Sequence, residues 1–151
     1  MSKSKSKSKN KSKSKSESKS ESKSVKGLPS ILKSCGLLDS AEKVGDDMYR
    51  MTWGSATVVC VARGSAIVAI APIFDSLPKK SKIDNFYKRL LSLNAEMGGT
   101  ASFAIQEDDS VVLQCGRGIE GLDPEELKLL LNTVGKFADD YDDILDKEFY
   151  Q

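Results

Sequence analysis

Histidine is absent from the 151 residues. That removes the side chain that titrates nearest neutral pH and the commonest zinc ligand. A Ser-His-Asp or Cys-His nucleophile arrangement is therefore excluded. Cysteine is sparse. Cys35, Cys60 and Cys115 stand far apart and no Cys-x-x-Cys occurs. An odd number at wide spacing argues against a disulfide framework or a structural zinc site, and fits buried thiols in a reducing cytoplasm. Long apolar runs are missing as well. No stretch reaches the ~18 residues that a membrane helix needs, and the basic N-terminus is not followed by the apolar core of a signal peptide. No cofactor and no metal are expected, and nothing in the composition points to an enzyme.

What is present divides into two unlike materials. Residues 1–24 are almost wholly Ser and Lys, and hold nine Lys against two Glu, a net +7. Residues 25–151 hold 14 Lys+Arg against 20 Asp+Glu, a net −6, and carry every Trp, Phe, Tyr and Cys. A like-charged segment without apolar residues cannot offset its ordering entropy, so residues 1–24 are expected to be a disordered basic tail. Residues 25–151 are expected to form a single α+β domain. Lys3, Lys5, Lys7, Lys9, Lys11, Lys13 and Lys15 alternate with small polar residues, a pattern that attracts phosphates without reading sequence. With no Arg and no aromatic among them, base reading and stacking are ruled out. The tail could also fold back on the acidic domain, be phosphorylated, or serve only to solubilise.

The apolar centre is Thr57–Phe74, TVVCVARGSAIVAIAPIF. Two Val/Ile-rich runs, Val58–Ala62 and Ala66–Ala71, flank Arg63-Gly64-Ser65, which predicts a hairpin. Val58, Val59, Cys60 and Val61 are consecutive and apolar, so both faces of that strand call for cover. A second copy or a partner is expected to supply it. Before this hairpin, Leu28, Ile31, Leu32 and Cys35 lie on one helical face, with Pro29 in the first turn and Gly36 at the stop. Met48–Trp53 is expected as an edge strand. After it, Ile83, Phe86, Tyr87, Leu90, Leu91 and Leu93 mark a helix to about Met97, ended by Gly98-Gly99. Thr100–Gln106 and Ser110–Cys115 predict a second hairpin. Asp123-Pro124-Glu125-Glu126 is a strong helix start. Leu127 to Leu145 then keep one apolar face. The expected fold is a two-layer α+β domain, an antiparallel sheet with helices mainly on one face, in the order α-β-β-β-α-β-β-α.

Two motifs invite chemistry and fail on context. Gly116-Arg117-Gly118-Ile119-Glu120-Gly121 matches G-x-G-x-x-G between a strand and a helix. The following helix opens with three acids, which repel a pyrophosphate, and no later strand completes a βαβ unit. The acidic run Asp139, Asp140, Asp142, Asp143, Asp146 lacks the alternating ligands and central Gly of a calcium loop. It is expected to be the wet face of the last helix.

The run Leu90-Leu91-Ser92-Leu93-Asn94, Gly98-Gly99, Phe103-Ala104-Ile105, Val111-Val112-Leu113, then Gly121-Leu122-Asp123-Pro124-Glu125-Glu126-Leu127 and a long helix to Ala138-Asp139, resembles the YbjN-type bacterial sensory-transduction regulators. It is also similar to the CesT-type chaperones of type III secretion. The resemblance implies a small non-enzymatic domain, commonly a homodimer, that holds an extended or partly folded protein segment. It supplies no catalytic residue, and the Ser/Lys tail departs from the family pattern. Leu28, Ile31, Leu32 and Trp53 are the expected partner-binding residues, on apolar surface left by the sheet and first helix. The alternative function is a polyanion tether acting through the tail, with the domain as dimerisation scaffold.

Overall fold

A computed structural model of the chain describes residues 27–151. The Ser/Lys segment expected over residues 1–24, with Lys3 to Lys15, lies outside the described residues. In chain order the elements are α1 (Leu28–Ser34), a 3-10 turn (Leu38–Ser40), β1 (Glu42–Gly45), β2 (Met48–Trp53), β3 (Ala56–Arg63), β4 (Ala66–Phe74), α2 (Ile83–Glu96), β5 (Ser102–Ile105), β6 (Val111–Gly118), α3 (Pro124–Leu145) and a π-helical turn (Asp146–Tyr150). The six strands form one sheet in the order β1-β2-β3-β4-β6-β5, each antiparallel to its neighbours. The architecture is the expected α+β one, with a strand added in front. β2 is not an edge: β1 pairs outside it, with Glu42 opposite Arg50 and Lys43 opposite Tyr49. β1 is four residues long and mostly exposed, with Val44 its one large apolar side chain, so it has no apolar alternation to read.

Alternation along the strands sorts the sheet into two faces. Val58 and Cys60 of β3, Ala69 and Ala71 of β4, and Val111 and Leu113 of β6 point to one of them. They share a single cluster with Leu28 and Leu32 of α1, Phe86 and Leu93 of α2, and Leu127, Leu131 and Val134 of α3. All three helices thus cover the same face. Ala69 and Ala71 are fully buried, and their small side chains let α3 approach β4 closely. α3 starts at a capping box. Glu126 N–H donates to Asp123 Oδ1 at 2.8 Å, and Asp123 N–H donates to Glu126 Oε2 at 3.2 Å. On α2 the apolar stripe narrows to Phe86, Leu90 and Leu93, while Leu91 is 68% exposed and faces outward.

Two clips fasten the layers. At the first, the β2–β3 turn meets α3. Trp53 Nε1–H donates to Asn132 Oδ1 at 2.7 Å, and Ser55 donates to Asp139 Oδ1 through its N–H at 2.7 Å and its hydroxyl at 2.6 Å. These bonds hold the Asp139 carboxyl below its usual range. Gly135 makes the seat: a Cβ there would stand 2.5 Å from Trp53 Cγ. Gly54, at φ +56°, turns the hairpin in the left-handed region and passes against the same carboxylate. At the second clip, Phe149 sits edge-to-face on Phe86 at 5.1 Å, Tyr150 stacks on Phe74 at 4.1 Å, and Tyr150 Oη–H donates to Ser76 O at 2.6 Å. Burial pushes the Tyr150 phenol up to about 12.

Gly135→Ala forces Trp53 off its seat, an overpacking that costs about 1–3 kcal/mol, read as a lower urea midpoint at unchanged slope. The Asp139 contribution has a defined pH sign. A carboxyl whose folded pKa is depressed stabilises above its unfolded value, about 3.9, and loses that effect as pH falls through the folded value. The gap in urea midpoint between the parent and Asp139→Ala is therefore full near neutrality and closes in acid. A gap independent of pH would show that the carboxylate charge is not what holds the turn.

Candidate partner-binding site

Among the described residues, the second face of the sheet has no helix over it. Its residues can be read off the register: Met48, Val61, Val68 and Gly116 form one row across β2, β3, β4 and β6, and Arg50, Val59, Ile70 and Gln114 form the next. Val112 and Ala104 extend it toward β5. None of these side chains belongs to the core cluster or packs against it. Val59, Val68 and Ile70 are half-buried. Val61 and Val112 are each 5% exposed, so the centre of the face is dry floor and its rim is Arg50, Thr52, Thr57 and Gln114. This is the second face whose cover the run Val58–Val61 calls for.

The residues expected to bind a partner lie elsewhere. Leu28, Ile31 and Leu32 point inward and are buried, Leu32 completely. Trp53 is half-buried on α3 through Asn132 and Gly135. The structure joins the first three in the core and places Trp53 at the turn clip. A partner reaches the α1 leucines only if α1 lifts. The residues that sequence reasoning passed over are Val59, Val68 and Ile70. Their signal was the unbroken apolar run itself, which says that two faces are apolar without saying which one the helices take.

The thiols are held neutral. Burial pushes Cys60 up to about 12 and Cys115 up to about 11. Burial, then Glu125, raises Cys35, whose Sγ–H donates to Pro124 O at 3.2 Å. Such thiols are poor nucleophiles. Among the described residues no group of three or more His, Cys, Asp or Glu is placed to hold a metal ion, and no helix is long and apolar enough to cross a membrane. What the surface offers is apolar area and strand edges, the means of holding polypeptide.

The sequence profile of the Tir chaperone protein (CesT) family matches residues 27–136. The chain belongs to this family. The match runs from the start of α1 into α3, so the sheet and all three helices of this CesT-family chain contribute to it. Among curated protein sequences none is significantly similar to it. Several solved structures share the fold at low identity. The HopA1–SchA chaperone–effector complex aligns at TM-score 0.56 and 14% identity, over 78% of this chain and 91% of the other. The heterodimeric ExoU–SpcU complex of the Pseudomonas aeruginosa type III secretion system aligns at 0.55 and 13%, over 70% and 88%. The Yersinia pestis type III secretion chaperone SycH, in complex with a fragment of YscM2, aligns at 0.50 and 16%, over 74% and 96%.

Placing a charge at Leu32 separates a core role from a surface role. Leu32→Asp buries an unpaired carboxylate, which costs several kcal/mol, and is expected to lower the urea midpoint sharply or prevent folding. A variant as stable as the parent would return α1 to the surface.

Proposed function

We propose that this chain is a non-enzymatic chaperone-like protein that holds a segment of a partner protein against the helix-free face of its sheet, and that it works in the cytoplasm as a homodimer. The observation that carries this reading is the pair of apolar rows through Val61 and Val68 and through Val59 and Ile70, buried to half-buried beside Arg50, Thr57 and Gln114 and with no described helix over them. A contiguous apolar patch rimmed by polar groups marks an interaction surface. Chaperone–effector pairing in the structural relatives supports a secreted or regulatory protein as the partner. Neutral, unpaired thiols fit a reducing compartment. Leu28, Ile31 and Leu32 take part only through movement of α1, and Trp53 through its exposed edge.

The charge split between residues 1–24 and the rest supports an added role for the tail, in which Lys3 to Lys15 give a salt-sensitive, sequence-independent contact with nucleic acid or another polyanion.

The test is a pull-down of full-length protein and of the Ile70→Asp variant from native lysate, with and without nuclease, identified by mass spectrometry. Ile70 is off the core, so the variant is expected to keep the parental melt while losing the partner at least tenfold, about 1.4 kcal/mol. Undiminished, nuclease-resistant recovery of the same partner by Ile70→Asp would reject the sheet face as the binding surface. Recovery of only nuclease-sensitive material would assign binding to the tail.

A further inference from the structure

The outer edge of β6 is paired only in part. β5 begins at Ser102, opposite Gln114, and beyond that point β6 has β4 alone beside it. In an antiparallel ladder a residue turns its N–H and C=O to the same side, and successive residues turn to opposite sides. Phe103 turns both groups away from β6, where Asn94 holds them. Its N–H donates to Asn94 Oδ1 at 2.6 Å, and its C=O accepts from Asn94 Nδ2 at 3.3 Å. Ser102 and Ala104 are therefore the residues that bond to Gln114 and Val112, and Gly116 turns the same way with no strand opposite it. Among the described residues no other backbone group bonds to Gly116 on that side. On the β4 side Ile119 N–H donates to Ser65 O, as the alternation requires.

Gly116 lines an open cavity of about 470 Å³. The turn over residues 99–102 contributes one part of the lining, and α3 contributes Leu129, Leu130 and Thr133. Leu129 is 68% exposed, on a helix whose other leucines are buried or half-buried. Cys115 is neutral, with its Sγ–H turned to Leu130 O at 3.7 Å. Arg117 and Glu126 are the only charged residues of the lining, and they pair with each other. Glu126 also accepts from Asp123 N–H. The cavity thus combines an apolar wall, no free charge and one backbone N–H and C=O without a strand partner. Gly118 lies outside the lining, so the cavity offers a single such pair and not a row of them.

We propose that this cavity is a small-molecule site for an uncharged, planar ligand that carries a cyclic amide, a lactam. In a lactam the N–H and C=O are cis and stand side by side on one edge of the ring. The ligand N–H donates to Gly116 O, and the ligand C=O accepts from Gly116 N–H. The ring body rests on Leu129 and Leu130. Glycine at this position leaves the pair open, because no side chain stands beside it. A cavity of this volume falls in the range that takes a drug-sized molecule, with an apolar lining and a few polar groups to fix its orientation. A carboxylate or phosphate is disfavoured, since it must compete with Glu126 for Arg117. An added strand draws on a row of alternate backbone pairs, whereas one pair lies within this cavity. The site stands apart from the partner-holding reading and does not depend on it.

The probe is carbostyril, a benzo-fused lactam, titrated into full-length isotope-labelled protein and followed at the Gly116 amide and the Leu129 methyls. Saturable shifts at both are expected. N-methylcarbostyril keeps the ring and the carbonyl but lacks the N–H, and is expected to bind at least tenfold more weakly. The open-chain trans amide N-acetyl-leucine N-methylamide is expected to be weaker by the same factor. Leu129→Glu places a charge on the wall at an exposed position, so the variant is expected to keep the parental melt and lose carbostyril at least tenfold. No saturable shift at Gly116, equal binding of the N-methyl compound, or undiminished binding by a folded Leu129→Glu chain overturns the proposal. Binding of the open-chain amide as tight as that of the lactam overturns it in favour of polypeptide. Ile70→Asp is expected to leave the titration unchanged, and a loss of carbostyril there would move the ligand to the open face of the sheet and reject this site.

Discussion

The seating of α3 on β4 sets the rest of the molecule. Ala69 and Ala71 bring the helix down onto the sheet, and Gly135 admits the Trp53 ring beneath it. Once α3 lies there, α1 and α2 have only the remaining ends of the same face to cover, and they complete one core with it. The other face is left with Val59, Val68 and Ile70 and, among the described residues, no layer over it. One-sided packing is therefore both the source of stability and the source of the half-buried apolar face opposite the helices. Each fully buried Leu or Val in that core contributes roughly 1.5–3 kcal/mol, which is how the chain tolerates an uncovered second face.

Much of this was legible in the residues. The Val/Ile runs around Gly64 fixed a hairpin in place, Asp123-Pro124 marked the start of α3, and the order of helices and strands followed from periodicity. The fold class and the CesT-type resemblance rest on those features, and the family match agrees with them. What could not be read were elements whose cause lies far away in the chain. β1 is short and exposed, with Val44 its one large apolar side chain, and is held by pairing with β2. Leu91 fits a buried stripe by spacing, yet the helix is rolled so that it faces water.

The site was the harder part. An apolar residue at helical spacing carries no mark of whether it meets the core or a partner, and Leu28, Ile31 and Leu32 turned inward. Trp53 was conspicuous as the lone tryptophan, but its indole serves the joint with α3. A glycine in mid-helix among Leu131, Val134 and Ala138 was the available sign that something bulky sits against that spot. G-x-G-x-x-G, rejected as a nucleotide motif, turned out to mark a strand end whose backbone is uncovered.

The aromatic clip at the chain's end bears on how the protein is made. Tyr150 reaches Ser76 across 74 residues of sequence, and Phe149 covers Phe86. During synthesis Phe74 and Phe86 leave the ribosome well before the rings that will cover them. Translation proceeds at roughly 5–20 residues per second, so that part of the core waits several seconds for its lid. The sheet and α2 must persist through that interval as an incomplete layer until Phe149 and Tyr150 can dock on it.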